Sequence, residues 1–265
     1  MSQRPSPQHQ PLLQTLQLAL NCHQQGQLAQ AEVLYGQVLQ GLPTHPDALH
    51  YFGVLCLQTQ RVDQGIALIQ RSLAANPKQP SPYVNLGNAL VMTGQLTQAL
   101  ATYDTAIRLL PAYAEAHSNR AHVLLSLSRP QEALLSADRA LKLDPKMLEA
   151  HLIKGLALNA LKRWAEALPA FDQTLRLAPG HLDALLNRGI ALTSLRRHAE
   201  AEATFKAAIQ AAPDHADAHS NLGVVLQEMG RLDEAMAAFR RAIELMPDHA
   251  SAHLSLGVAH QERGE

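Results

Sequence analysis

Apolar and polar positions along the chain fall into short amphipathic stretches that come in pairs. In residues 216–249, His219, Leu222, Gly223 and Leu226 belong to one helical stretch and Ala235 and Phe239 to a second. Pro247 closes the second stretch, since a proline cannot continue a helix. The unit predicted is helix–turn–helix. Upstream, the same proline stands at Pro43, Pro77, Pro111, Pro145, Pro179 and Pro213, spaced by 34 residues each time. A fixed period of that length marks a repeat architecture rather than one globular core.

The period also fixes where the two helices of a unit must approach. First helices carry Ala19, Gly53, Gly87, Ala121, Gly155, Gly189, Gly223 and Gly257 at one register position. Second helices answer with Ala31, Gly65, Ala99, Ala133, Ala167, Ala201 and Ala235. A large side chain at either place would push the helices apart. Four residues further on, Tyr35, Ile69, Tyr103, Phe171, Phe205 and Phe239 supply a plug, and Ala137 leaves that plug small in the fourth repeat, an expected soft spot. Gly26, Gly94, Gly230 and Gly264 follow first helices, where a left-handed cap is expected. Pro130 opens a second helix harmlessly, whereas Pro169 lies further in and predicts a mild kink.

Composition narrows the function classes. Four Phe, one Trp and five Tyr in 265 residues imply interfaces built from small and aliphatic side chains. The net charge of −1 provides no field for nucleic acid or an anionic membrane. The first apolar stretch, Leu12 to Leu20, is broken by Gln14 and Gln17, and no long apolar run follows, so neither an export signal nor a membrane span is expected and the location read is cytoplasmic. Cys22 and Cys56 are one period apart, on helices expected roughly 8–10 Å from each other. A disulfide needs Cα atoms within about 7 Å, so two reduced, buried thiols are expected.

These repeats resemble the tetratricopeptide-repeat family. The resemblance implies an all-α, right-handed superhelical solenoid of tandem 34-residue helix–turn–helix repeats over residues 12–265, after a Pro- and Gln-rich flexible leader at 1–11. The units are 12–45, 46–79, 80–113, 114–147, 148–181, 182–215 and 216–249, with the first helix of an eighth at 250–265. That last helix keeps internal-repeat spacing, so the natural protein is expected to continue beyond residue 265 and an apolar strip around Leu256 and Ala259 to lie uncovered, leaving self-association there open. Against the family pattern, the bulky residue early in the first helix is replaced by His117, His151, His219 and His253.

By the same resemblance, first helices line a groove that takes an extended peptide or a helix of a protein partner. The groove residues expected are Asn85, Asn119, Asn187 and Asn221 as an interrupted amide ladder, with Leu152, Leu156, Leu186 and Ile190 among the apolar residues beside it. A primary amide can bridge a backbone C=O and N–H together; the alternative is that each asparagine bonds its own helix. The leucines, likewise, either face the groove or seal first helix against first helix. Asp47, Glu115, Glu149, Asp183 and Asp217 read mainly as first-turn carboxylates complementing the helix dipole. Groove positions that hold Lys and Arg in carboxylate-clamping members of the family hold none here. His215 with His219, and His249 with His253, have i, i+4 spacing, but no carboxylate or cysteine joins them at ligand spacing, so no metal is expected. No catalytic residue or cofactor is expected either. The runs PYVNLGNAL, AHSNRAHVL, LLNRGIAL and AHSNLGVVL are also similar to the repeats preceding the catalytic region of O-linked N-acetylglucosamine transferases, which implies an alternative: a substrate-recruiting arm of a larger transferase.

Overall fold

The computed structural model describes residues 10–264, and among them are fifteen α-helices and no strand. First helices of the repeats are α1 (Gln10–Gln24), α3 (Pro46–Gln58), α5 (Pro80–Met92), α7 (Ala114–Ser126), α9 (Leu148–Ala160), α11 (Leu182–Ser194), α13 (Ala216–Glu228) and α15 (Ala250–Arg263). Second helices are α2 (Leu28–Gly41), α4 (Val62–Ala75), α6 (Leu96–Leu109), α8 (Pro130–Leu143), α10 (Trp164–Leu177), α12 (His198–Ala211) and α14 (Leu232–Leu245). The chain divides into two compact units between Leu127 and Ser128, inside the repeat whose plug position holds Ala137. Helix α1 begins at Gln10, inside the segment expected to be a leader; the rest of that expectation, residues 1–9, lies outside the described residues.

Within each unit the predicted pairing is observed. Helices α1 and α2, α3 and α4, and α5 and α6 pack in the first unit; α9 and α10, α11 and α12, and α13 and α14 pack in the second. The plugs Tyr35, Tyr103, Phe171, Phe205 and Phe239 are fully buried. Close approach is what the glycines provide: a Cβ at Gly155, Gly189 or Gly223 would stand 2.5 Å from a ring carbon of Phe171, Phe205 or Phe239 respectively. Pro169 sits inside α10, which nonetheless runs as one helix. Cys22 and Cys56 are free and buried.

The turns show a device that glycine content hides. Gly26, Gly94 and Gly230 have φ near +75°, as expected for a left-handed cap, but Gln60, Lys162 and Arg196 occupy the same turn position with φ of 63°, 59° and 58°. The early histidines have a structural task. His151, His219 and His253 each place Nε2 2.8–2.9 Å from the carbonyl of Pro145, Pro213 or Pro247. A carbonyl only accepts, so Nε2 carries the proton and ties the first turn of the helix to the preceding loop. Tyr83 makes the same bond through its hydroxyl to Pro77 at 3.3 Å. This accounts for His219 and His253 without a metal.

Helix α15 corrects one expectation. Ala259 is buried and Leu256 packs on the second unit's core, so the strip around them is covered. The uncovered side of α15 carries Leu254, 72% exposed, Val258, and Gly257, whose Cβ direction meets nothing within 4 Å.

Candidate peptide-binding face

Successive first helices touch one another within each unit: α1 with α3, α3 with α5 and α5 with α7, then α9 with α11, α11 with α13 and α13 with α15. Second helices of successive repeats within a unit make no such contact. First helices therefore form the close-packed face of each unit, and residues one period apart on them line up in columns. The expected site residues all lie on first helices, Asn85 and Asn119 in the first unit and the other six in the second.

The asparagines do not form one uniform ladder. In the first unit, Asn85 Nδ2 lies 2.7 Å from Nε2 of His50. Burial pushes His50 down to about 4, so its ring is neutral and Nε2 accepts from the amide. Asn119 Nδ2 donates to Oδ1 of Asn88 at 2.9 Å, and the same oxygen accepts from the Tyr103 hydroxyl at 2.6 Å. In the second unit, Asn187 donates back to the Asp183 carbonyl of its own helix at 2.8 Å, while its own carbonyl accepts from Asn159 Nδ2 at 2.9 Å. Asn159 is 8% exposed and its Oδ1 is buried with no partner among the described residues. The Asn221 side chain has no hydrogen-bond partner among the described residues. Each of the four retains a free N–H or oxygen, and Asn221 retains all of its capacity.

The four apolar candidates split in two. Leu152 and Leu186 are 7% and 9% exposed and sit in the packed interior, so they carry the face from beneath rather than line it. Leu156 is half-buried and Ile190 is 39% exposed. With Val224 and Val258, which stand one and two periods beyond Ile190, they form a continuous apolar column across α9, α11, α13 and α15. Asn187 and Asn221 flank it three residues earlier on their helices.

The first unit presents different chemistry at the same register. The position of Leu156 is taken there by Asn88 on α5 and His122 on α7, while α1 and α3 carry apolar Leu20 and Val54. For Asn88 the cause lies one layer down. Where the second unit plugs its repeats with Phe171, Phe205 and Phe239, the first uses Tyr35 and Tyr103, whose hydroxyls need partners once buried. Tyr35 finds His23 Nδ1 at 3.1 Å and Tyr103 finds Asn88. Burial raises both phenols above their ordinary range, so each stays a neutral donor.

The acidic residues in first turns have a task beyond the dipole. Asp47 accepts from Gln79 Nε2 at 2.9 Å, and Asp217 lies 3.0 Å from His249 Nε2. Gln79 and His249 are the residues that precede the next first helix, so these carboxylates join one repeat to the next. The residues missed from sequence were His50, Asn88, Asn159 and Val224. Asn88 was legible in principle, since it lies one helical turn from Asn85 in the run PYVNLGNAL.

Family models for the tetratricopeptide repeat match residues 23–90, 119–181 and 181–248, and a further TPR-repeat model matches 87–128. The chain belongs to the tetratricopeptide-repeat family. No curated protein matches it. Among solved structures, YrrB, described as a TPR protein with an unusual peptide-binding site, is 27% identical over 71% of this chain and 96% of its own, with a TM-score of 0.63. A tetratricopeptide-repeat protein from Parabacteroides merdae is 16% identical over 94% of this chain and 99% of its own, TM-score 0.65. A thermophilic TPR protein of Thermus thermophilus is 25% identical over 69% and 99%, TM-score 0.53. No helix among the described residues is long and apolar enough to cross a membrane.

Proposed function

We propose that this chain is a protein-interaction module that binds an extended segment of a partner polypeptide along its first-helix face, with no catalytic role of its own. The observation that carries the reading is the column Leu156, Ile190, Val224 and Val258 beside Asn187 and Asn221 in the second unit. An exposed apolar column in a chain of helices otherwise rich in polar surface marks a contact site. The flanking amides match what an extended backbone offers, since each can accept an N–H and donate to a C=O. The likeness to YrrB, described as having a peptide-binding site, supports the class of ligand. The transferase-arm alternative rests on the asparagine-containing runs alone.

The test is selection of binders from a random peptide library displayed on phage, followed by affinity measurement with the selected synthetic peptides. Ile190→Asp with Val224→Asp should abolish selection. Asn221→Ala should weaken binding by about three- to tenfold, as loss of about 0.5–1.5 kcal/mol implies. Asn187→Ala should cost less, because its Nδ2 is already committed to Asp183. Melting should move little in the asparagine variants, since such half-exposed polar substitutions stay within ~0.5 kcal/mol. Equal selection by the wild type and the double aspartate variant would sink the reading.

A further inference from the structure

The Asn88, Asn119 and Tyr103 cluster in the first unit does more than satisfy a buried hydroxyl. It borders a hollow of 130 Å³ lined by Asn88, Val91, Tyr103, Asn119, His122 and Val123. A volume near that size holds a side-chain-sized group; cavities of about 150 Å³ accommodate a benzene ring. The polar atoms around it are fixed by their own network. Asn88 Oδ1 takes both the Tyr103 hydroxyl and Asn119 Nδ2, which pins the two amides relative to each other. With that oxygen occupied, Asn88 Nδ2 has no partner among the described residues, and neither does Asn119 Oδ1. The lining residues thus keep unpaired N–H groups on Asn88 and an unpaired acceptor on Asn119. None of the lining residues is Asp, Glu, Lys or Arg; Val91, Val123 and His122 complete the lining.

We infer that this hollow is a subsite for a primary carboxamide, the side chain of a glutamine or asparagine in the bound polypeptide. A carboxamide presents a C=O to the Asn88 N–H groups and an N–H to Asn119 Oδ1, so both free capacities are met by one neutral group. A carboxylate would meet the donors but repel the Asn119 oxygen, whereas the carboxamide satisfies both. An aliphatic group would leave both amides unpaired. The first unit thus reads an amide side chain, and the second unit's column reads apolar ones. The inference rests on the proposed peptide-binding reading.

The second unit supplies the control variant. There the corresponding pairs are Phe171 with Leu156 and Phe205 with Ile190, so Asn88→Leu combined with Tyr103→Phe copies an arrangement this fold already uses and leaves no buried hydroxyl orphaned. Phage-displayed random peptides are selected on the wild type, and the winners are resynthesised with each Gln or Asn replaced by Glu and by Leu. The wild type should select peptides that contain a Gln or Asn. Replacing that residue by Glu or Leu should weaken binding about tenfold, the equivalent of two neutral hydrogen bonds. The Asn88→Leu/Tyr103→Phe variant should bind the Gln, Glu and Leu versions within about twofold of one another, with melting close to the wild type. Peptides whose binding depends on Ile190 and Val224 but shows no amide preference would overturn the subsite alone. A Glu version that binds as well as Gln, or a preference unchanged in the double variant, would also overturn it. Failure to select any peptide removes the peptide-binding reading and the subsite together.

Discussion

Replacing Lys162 and Arg196 by glycine should stabilise the second unit, although both residues are polar, exposed and, among the described residues, without hydrogen-bond or ion-pair partners through their side chains. Their backbones stand at φ of 59° and 58°, in the left-handed region, at the turn position that Gly26, Gly94 and Gly230 fill elsewhere. An L-residue there costs about 1–2 kcal/mol through its Cβ, against a glycine penalty in the unfolded chain of roughly 0.5–1 kcal/mol. The net gain is about 0.5–1 kcal/mol per site. Residues one repeat apart share no partner, so two sites should sum to about 1–2 kcal/mol, or a rise of a few degrees in melting temperature. The backbone bonds of the turn, from Lys162 N–H to the Asn159 carbonyl and from Arg196 N–H to Thr193, survive the substitution. The control is Lys162→Ala with Arg196→Ala, which removes the side chains and keeps the Cβ, and which should be neutral. Thermal unfolding followed by circular dichroism reads all three proteins. Glycine variants that melt at or below the alanine variants would refute the strain argument. Gly230→Ala, at φ of 75°, supplies the opposite sign and should lose stability.

Two further outcomes follow from packing and from burial. Gly223→Ala places a methyl 2.5 Å from the Phe239 ring, and an overpacking cost of about 1–3 kcal/mol exceeds the helix-propensity gain of about 1 kcal/mol; the variant should melt lower, and Phe239→Leu should restore part of the loss. His50 is neutral in the fold, with burial lowering it from 6.5 to about 4, so between those values the unfolded chain binds the extra proton and stability falls as the pH drops. Urea midpoints of the first unit's transition should therefore decline from neutral pH toward pH 4 by up to ~2–3 kcal/mol more in the wild type than in His50→Gln, which keeps a partner for Asn85; parallel profiles would exclude this role for His50.

The fold was legible because its determinants repeat. A proline every 34 residues and a small residue facing an aromatic plug are local, and each is read several times over. The left-handed turns were half legible: glycine announces the conformation, but Gln60, Lys162 and Arg196 adopt it under the constraint of the helices on either side and carry no sequence signal. Leu256 and Ala259 show a different limit. Both belong to the apolar pattern of α15, but Leu256 packs toward the preceding repeat while its neighbour Gly257 faces open space, and one residue is a rotation of 100° around the helix. A smaller rotation, about 40° over four residues, separates buried Leu186 from exposed Ile190. Periodicity locates an apolar face to within a quarter-turn, and in a solenoid that is the difference between core and groove.

The asparagines were visible as a column, but what each amide does depends on residues in the next layer. Asn88 answers a tyrosine fifteen residues away, Asn85 a histidine on the preceding first helix, and Asn187 only its own backbone. In a compact domain such choices would be tied together through a shared core. Here a repeat contacts only its neighbours, so a change from phenylalanine to tyrosine in one plug alters the face of that repeat and leaves distant ones as they were. In the repeat of Tyr103 the plug and the face are therefore coupled. There the plug's hydroxyl engages Asn88 on the face above it, and the spare capacity of Asn88 is what the proposed subsite uses. Asn88 on the face answers the hydroxyl of Tyr103 beneath it, whereas Leu156 and Ile190 stand over Phe171 and Phe205, which ask for no partner.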